Sequence, residues 1–252
     1  MQPDLPFDAI AISGSHSALT GVLAGFALAA LFLLIERVND AKNEQKQQYL
    51  NAMLLLFVAF LTGALSSYLY SSLTGDPPIR AFHLFKFGST VFVISAIVLL
   101  VGINSVFSAL GVEDVLTLAR RMTYFVVIFG VLVILDDLVV SVEVFGLPTN
   151  VNFWLYLSAF TPLAISLLIL ASRKKSIRQY IKREALFSAF CYVAILDALA
   201  MAFFHFMDST TEDADIVFSV PIALLMMGSV SILGAWAMLL SPHTAAAIDE
   251  VV

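Results

Sequence analysis

A chain of 252 residues in which 60% are hydrophobic and only 13% charged departs from the balance of a soluble domain, which runs nearer half apolar and a quarter charged. Lipid is the indicated solvent, and spans of about 20 apolar residues with short connections leave no room for a soluble module. A formal charge of -6 excludes the broad basic face that phosphate backbones require, so nucleic acid is not an expected partner.

Residues 1–15, MQPDLPFDAIAISGS, carry Asp4 and Asp8 but no Lys or Arg. They lack the basic start of a signal peptide and read as an exported tail. Seven apolar stretches follow, at 16–36, 50–73, 87–110, 122–145, 153–171, 185–207 and 216–240. At about 1.5 Å rise per residue, a run of about 20 covers a hydrocarbon core of about 30 Å. None alternates polar and apolar residues as a barrel strand must. The expected fold is an all-α bundle of seven transmembrane helices over 16–240, with a short tail at 241–252.

The basic residues orient it. Arg37, Lys42 and Lys46 follow the first span, Arg120 and Arg121 the third, and Arg173, Lys174, Lys175, Arg178, Lys182 and Arg183 the fifth. Only Arg80 and Lys86 remain for the opposite side. The positive-inside rule then places the N-terminus outside and the C-terminus in the cytoplasm of a plasma membrane, with a bacterial inner membrane as the expected setting.

Individual elements carry further signals. In the first span Gly21 and Gly25 form a GxxxG extended by Ala29, a spacing that lets helices pack closely within a bundle or, less often, in a dimer. The third is preceded by GDPPIRAFHLFKFG, read as a turn at Pro77-Pro78 and an interfacial amphipathic stretch, with a re-entrant element as the alternative. Pro162 and Pro221 fall inside the fifth and seventh spans, where each removes a backbone donor and can kink its helix. The basic loop from Arg173 to Arg183 is expected to contact anionic lipid, or a protein partner. Cys191 lies in an apolar run and is assigned to packing.

The informative positions are carboxylates at depth. Asp136 and Asp137 stand 15 and 16 residues beyond Arg121, in the outer half of the fourth span, and Asp197 is near the middle of the sixth. A central Asp costs roughly 2.5–3.5 kcal/mol to insert, so these three should face protein or water. Neighbouring helical residues point about 100° apart. Asp136 therefore shares its face with Glu143, and Asp137 with Ser141. One Asp is expected to address a cavity and the other a neighbouring helix. Two roles compete for these acids. They can be structural, one pairing with Arg80 or Lys86 and the others held by hydroxyls, or they can relay a proton or cation.

His83, Lys86, His205 and Asp208 gather near the outer boundary as a candidate polar vestibule. No histidine pair has the spacing of a metal site, so none is expected. No GxSxG elbow or SxxK pair is present either. Seven spans invite comparison with microbial retinal proteins, which hold retinal on a lysine of the seventh span. Residues 216–240 contain no lysine, and no cofactor is expected. The leading expectation is a non-enzymatic protein that binds or conducts a proton, cation or small solute through Asp136, Asp137, Asp197 and Glu143. Its rivals are an accessory or sensory subunit that binds a protein partner or a second copy of itself, and an intramembrane enzyme acting on lipid.

Overall fold

The computed structural model describes residues 7–41, 43–171, 183–210 and 220–240. Among these residues there are seven helices and no strand: α1 (Ala9–Asp40), α2 (Asn43–Ser71), α3 (Pro78–Leu110), α4 (Glu113–Val144), α5 (Asn150–Ala171), α6 (Arg183–Thr210) and α7 (Val220–Leu240). Each is long and apolar enough to cross a membrane. The perimeter carries large apolar side chains on every side. Phe26 is 66% exposed, Phe125 62% and Leu168 69%, a surface that water would not tolerate. The chain is a multi-pass membrane protein.

Local chemistry sets the helix ends. Asp8 caps α1, its Oδ1 accepting from the backbone N–H groups of Ile10 and Ala11 at 3.0 and 3.1 Å, which satisfies two donors that the helix leaves open. Helix formation thus begins at Ala9, and residues 9–15 of the expected tail belong to α1. Pro78 occupies the first position of α3, where its missing N–H has no cost. The helix stops at Gly111, whose φ of +69° is a left-handed conformation that glycine adopts without strain. The Gly111 and Val112 N–H groups close back on the carbonyls of Ser108 and Phe107, both at 3.3 Å, a Schellman-type ending.

α3 is the axis of the bundle. It packs against α1 and α2 on one side and α4, α6 and α7 on the other, while α5 leans on α4 and α7 from outside. Every residue from Ala81 to Val91 is buried. This overturns the interfacial and re-entrant readings of the stretch after Pro77-Pro78. A segment carrying Arg80, His83 and Lys86 looks amphipathic only when its neighbours are invisible, and here side chains of α1, α2, α4 and α6 meet it. Arg80 forms an ion pair with Asp76 one turn before it, at 3.8 Å. Pro221 lies within α7, at the second of its described residues. Pro162 is inside α5 as read.

Small residues join α1 to α2, but not the expected ones. Gly25 and Ala29 are exposed, and a Cβ at Gly25 would meet nothing within 4 Å. The side chains that α1 buries include Ser13, Thr20, Ala24 and Ala27, and only Gly21 approaches α2, at Ser67. For packing within the bundle the correction is one of helical phase: Gly25 and Ala29 point outward, on the side that a dimer contact would use, while Ala24 and Ala27 beside them are buried. A Cβ on Gly63 would stand 3.1 Å from both Ala24 Cβ and Ser95 Oγ. Close by, the Ser17 and Ser67 hydroxyls reach across to each other's backbone carbonyls, both at 2.9 Å.

This contact is testable by overpacking. Gly63→Leu should destabilise the purified protein by about 1–3 kcal/mol, read as an earlier thermal unfolding transition in detergent. Gly25→Leu should leave the transition unchanged.

Candidate functional site

Lys86 is 1% exposed, although it carries an ammonium at membrane depth. Its Nζ donates to Oδ1 of Asp137 on α4 at 2.7 Å. The same Nζ lies 4.4 Å from the centroid of Phe82 and 5.0 Å from that of Phe7, so ring faces enclose the charge on the sides the carboxylate leaves open. Asp136 adds a weaker attraction. α3 presents the lysine one residue after Phe85 and three before Ser89, on a helix whose other side chains here are aromatic or small. α4 presents Asp137 on the face that also buries Ser141, whose hydroxyl donates to the Asp137 carbonyl at 2.7 Å.

Asp137 has a second aspect. Its side chain is 22% exposed, and it lines a cavity of about 370 Å³ between α1, α3 and α4. That volume lies near the small end of the range for small-molecule sites, about 300–1,000 Å³. The walls are mainly apolar, formed by residues such as Phe7, Phe85, Phe92, Phe129 and Ile134. Polar atoms enter from His16, Tyr70, Ser89 and Asp137. The Tyr70 hydroxyl donates to Ser89 Oγ at 3.1 Å, and Ser89 Oγ donates to the Phe85 carbonyl at 3.1 Å. His16 rests against the Tyr70 and Phe85 rings, with centroids at 5.1 and 5.2 Å. Phe129 and Val133 line the cavity and are also 57% and 39% exposed, so its mouth lies on the apolar perimeter between α1 and α4.

The remaining acids do not join this site. Asp136 and Glu143 are exposed on the outer face of α4. The shared face predicted for them is present, but it looks away from the bundle, so the expectation that Asp136 meets a cavity or neighbouring helix is corrected. Asp137 supplies both of those contacts alone. Asp197 faces the Ser229 hydroxyl of α7. Its Oδ2 is buried and has no partner among the described residues.

The outer vestibule is also corrected. His83, Lys86 and His205 are all buried, and each is engaged by a different neighbour. His83 packs edge-on against Phe87 and Phe145. Nε2 of His205 meets the Ser72 hydroxyl at 2.7 Å, tying α6 to α2. The side chain of Asp208 lies outside the described residues, as do Arg173, Lys174, Lys175, Arg178 and Lys182; Arg183 opens α6. Among the described residues no three His, Cys, Asp or Glu side chains gather as a metal-binding set. Cys191 is buried in the core, in keeping with a packing role. A second cavity, of about 240 Å³, is lined by Gln48, Asn51, Ser105, Ser108 and apolar neighbours, with no ionisable group among the described residues.

Sequence reasoning missed His16, Tyr70 and Ser89. Each lies in a span that reads as ordinary, and they meet only because α1 and α2 fold back on α3. A histidine at the start of a span that carries no other charge before Glu36 was the one available signal.

Breaking a buried pair leaves an uncompensated charge, whereas removing both partners leaves a packed apolar contact. Lys86→Met or Asp137→Leu alone should each destabilise the protein by about 3 kcal/mol, the low end of that range because Asp137 is partly exposed. The double variant should recover most of the loss, read by thermal unfolding of all four proteins.

No protein-family profile, no curated protein and no solved structure matches this chain.

Proposed function

We propose that this protein binds a small, mostly apolar solute in the cavity between α1, α3 and α4, with Asp137 as its polar contact. The observation that carries the reading is the pairing of apolar walls with one partly open carboxylate, at a mouth that faces lipid. Binding sites for small molecules combine such walls with a few placed polar groups. Of the functions read from sequence, small-solute binding gains most from this arrangement. A relay through Asp136, Asp137 and Asp197 gains least, since Lys86 neutralises Asp137, Asp136 faces outward and Asp197 does not line the cavity. The orientation follows the basic residues: N-terminus outside, C-terminus in the cytoplasm, in the plasma membrane.

Two measurements test these statements. In nanodiscs, a dodecane carrying a photoactivatable diazirine should label cavity residues such as Phe92, Phe129 or Val133, located by peptide mass spectrometry. Ala96→Trp places an indole in the cavity and should cut that labelling at least several-fold without altering the unfolding transition. Equal labelling in the two proteins would remove the cavity as a binding site. A tag fused after Val252 should be protected from protease added to intact cells, and digestion from outside would reverse the assigned faces.

A further inference from the structure

The polar atoms around the cavity are unequally committed. The Ser89 hydroxyl accepts from Tyr70 and donates to a backbone carbonyl. The Lys86 ammonium is enclosed by Asp137, Phe7 and Phe82 and does not line the cavity. Asp137 spends Oδ1 on that ammonium, and its side chain keeps exposed surface on the cavity wall. A carboxylate only accepts hydrogen bonds. The free polarity of the site is therefore the Asp137 acceptor, which belongs to a pair with no net charge, together with the His16 imidazole, which rests on the Tyr70 and Phe85 rings and when neutral offers one N–H donor and one acceptor.

Resting on the proposed solute-binding role of this cavity, we infer that its ligand is an uncharged, hydroxyl-bearing amphiphile drawn from the bilayer, whose hydroxyl donates to Asp137 while its apolar body fills the space toward Phe92 and Phe129. The alternatives fail on elementary grounds. A fatty carboxylate or a phosphate could accept from His16, but it would set acceptor and like charge against Asp137, whereas a hydroxyl can donate to Asp137 and accept from His16 at once. An alkylammonium can donate, but it must shed its hydration at a site where Lys86 has already neutralised the carboxylate, so its attraction does not repay the desolvation. A plain alkane fills the walls and leaves the carboxylate without a donor. A hydroxyl supplies the missing donor and brings no charge. A hydrogen bond to a charged acceptor is the stronger kind, and one such bond amounts to about a tenfold gain in affinity.

The test is competition in nanodiscs against the diazirine-bearing dodecane. Unlabelled dodecanol, dodecane, dodecanoate, dodecylammonium and dioctanoylglycerol serve as separate arms. Dodecanol should displace the label at about tenfold lower concentration than dodecane, with dodecanoate and dodecylammonium weaker than dodecanol. A single-chain alcohol and a glycerolipid share the hydroxyl, and whichever of dodecanol and dioctanoylglycerol competes better identifies the source while supporting the class. In the Lys86→Met, Asp137→Leu double variant the preference for dodecanol over dodecane should vanish while labelling by the dodecane probe persists. Equal potency of dodecanol and dodecane in the unaltered protein, or a lead for dodecanoate or dodecylammonium, would overturn the ligand class. The cavity would still stand if Ala96→Trp abolishes labelling. A preference for dodecanol that survives the double variant would overturn the role of Asp137.

Discussion

The arrangement of this bundle turns on one ionic hydrogen bond, from Lys86 on α3 to Asp137 on α4. α3 is the helix on which all the others but α5 pack, and it can occupy the centre only if its ammonium is neutralised there. A buried charge of either sign costs several kcal/mol unless a well-placed partner and further contacts compensate it. The partner is Asp137 and the further contacts are the rings of Phe7 and Phe82. The pair also fixes the rotation of α4, which turns Ser141 inward and Asp136 and Glu143 outward. The entry of α1 is tied to the same point, because Phe7 directly precedes its capping residue and lies over Lys86.

Elsewhere the helices are joined by weaker polar contacts spread along the bundle. Ser66 donates to the Gly88 carbonyl, Ser95 to that of Ala59 and Ser231 to that of Ala159, while Asn104 donates to Thr123. In lipid there is little hydrophobic drive between helices, so close approach and interhelical hydrogen bonds take its place. Small hydroxyl residues serve both ends, since they admit the neighbouring backbone and donate to it. The cavity occurs where this close packing lapses, in the groove that α3 floors between α1 and α4.

Much of the architecture could be read from the residues, for a physical reason. A membrane imposes length, apolarity and internal hydrogen bonding on each span separately, so each span announces itself without its neighbours. The division of α4 into an Asp136–Glu143 face and an Asp137–Ser141 face is likewise a property of one helix. The pairing of an intramembrane Asp with Lys86 was legible as one of two partners, because few basic residues lie on that side. What escaped depends on more than one helix. The stretch after Pro78 looks interfacial alone and is central once enclosed. Gly25 and Ala29 suit close packing, yet the phase that α1 adopts against Gly63 decides otherwise. His16, Tyr70 and Ser89 come from three spans and acquire meaning only where those spans meet.

The 51 residues that separate Lys86 from Asp137 have a consequence for biogenesis. When α3 emerges from the ribosome, the acids of the helices already made, Glu36, Asp40 and Glu44, lie at the opposite end of α1 and α2, and an ammonium without a counter-charge at its own depth is costly to release into lipid. Asp137 arrives only once α4 has been translated, so the two segments gain by partitioning as one hairpin held beside the insertion machinery until the charges meet. The sharp stop at Gly111 and the immediate start of α4 at Glu113 keep the tether between them short during that wait.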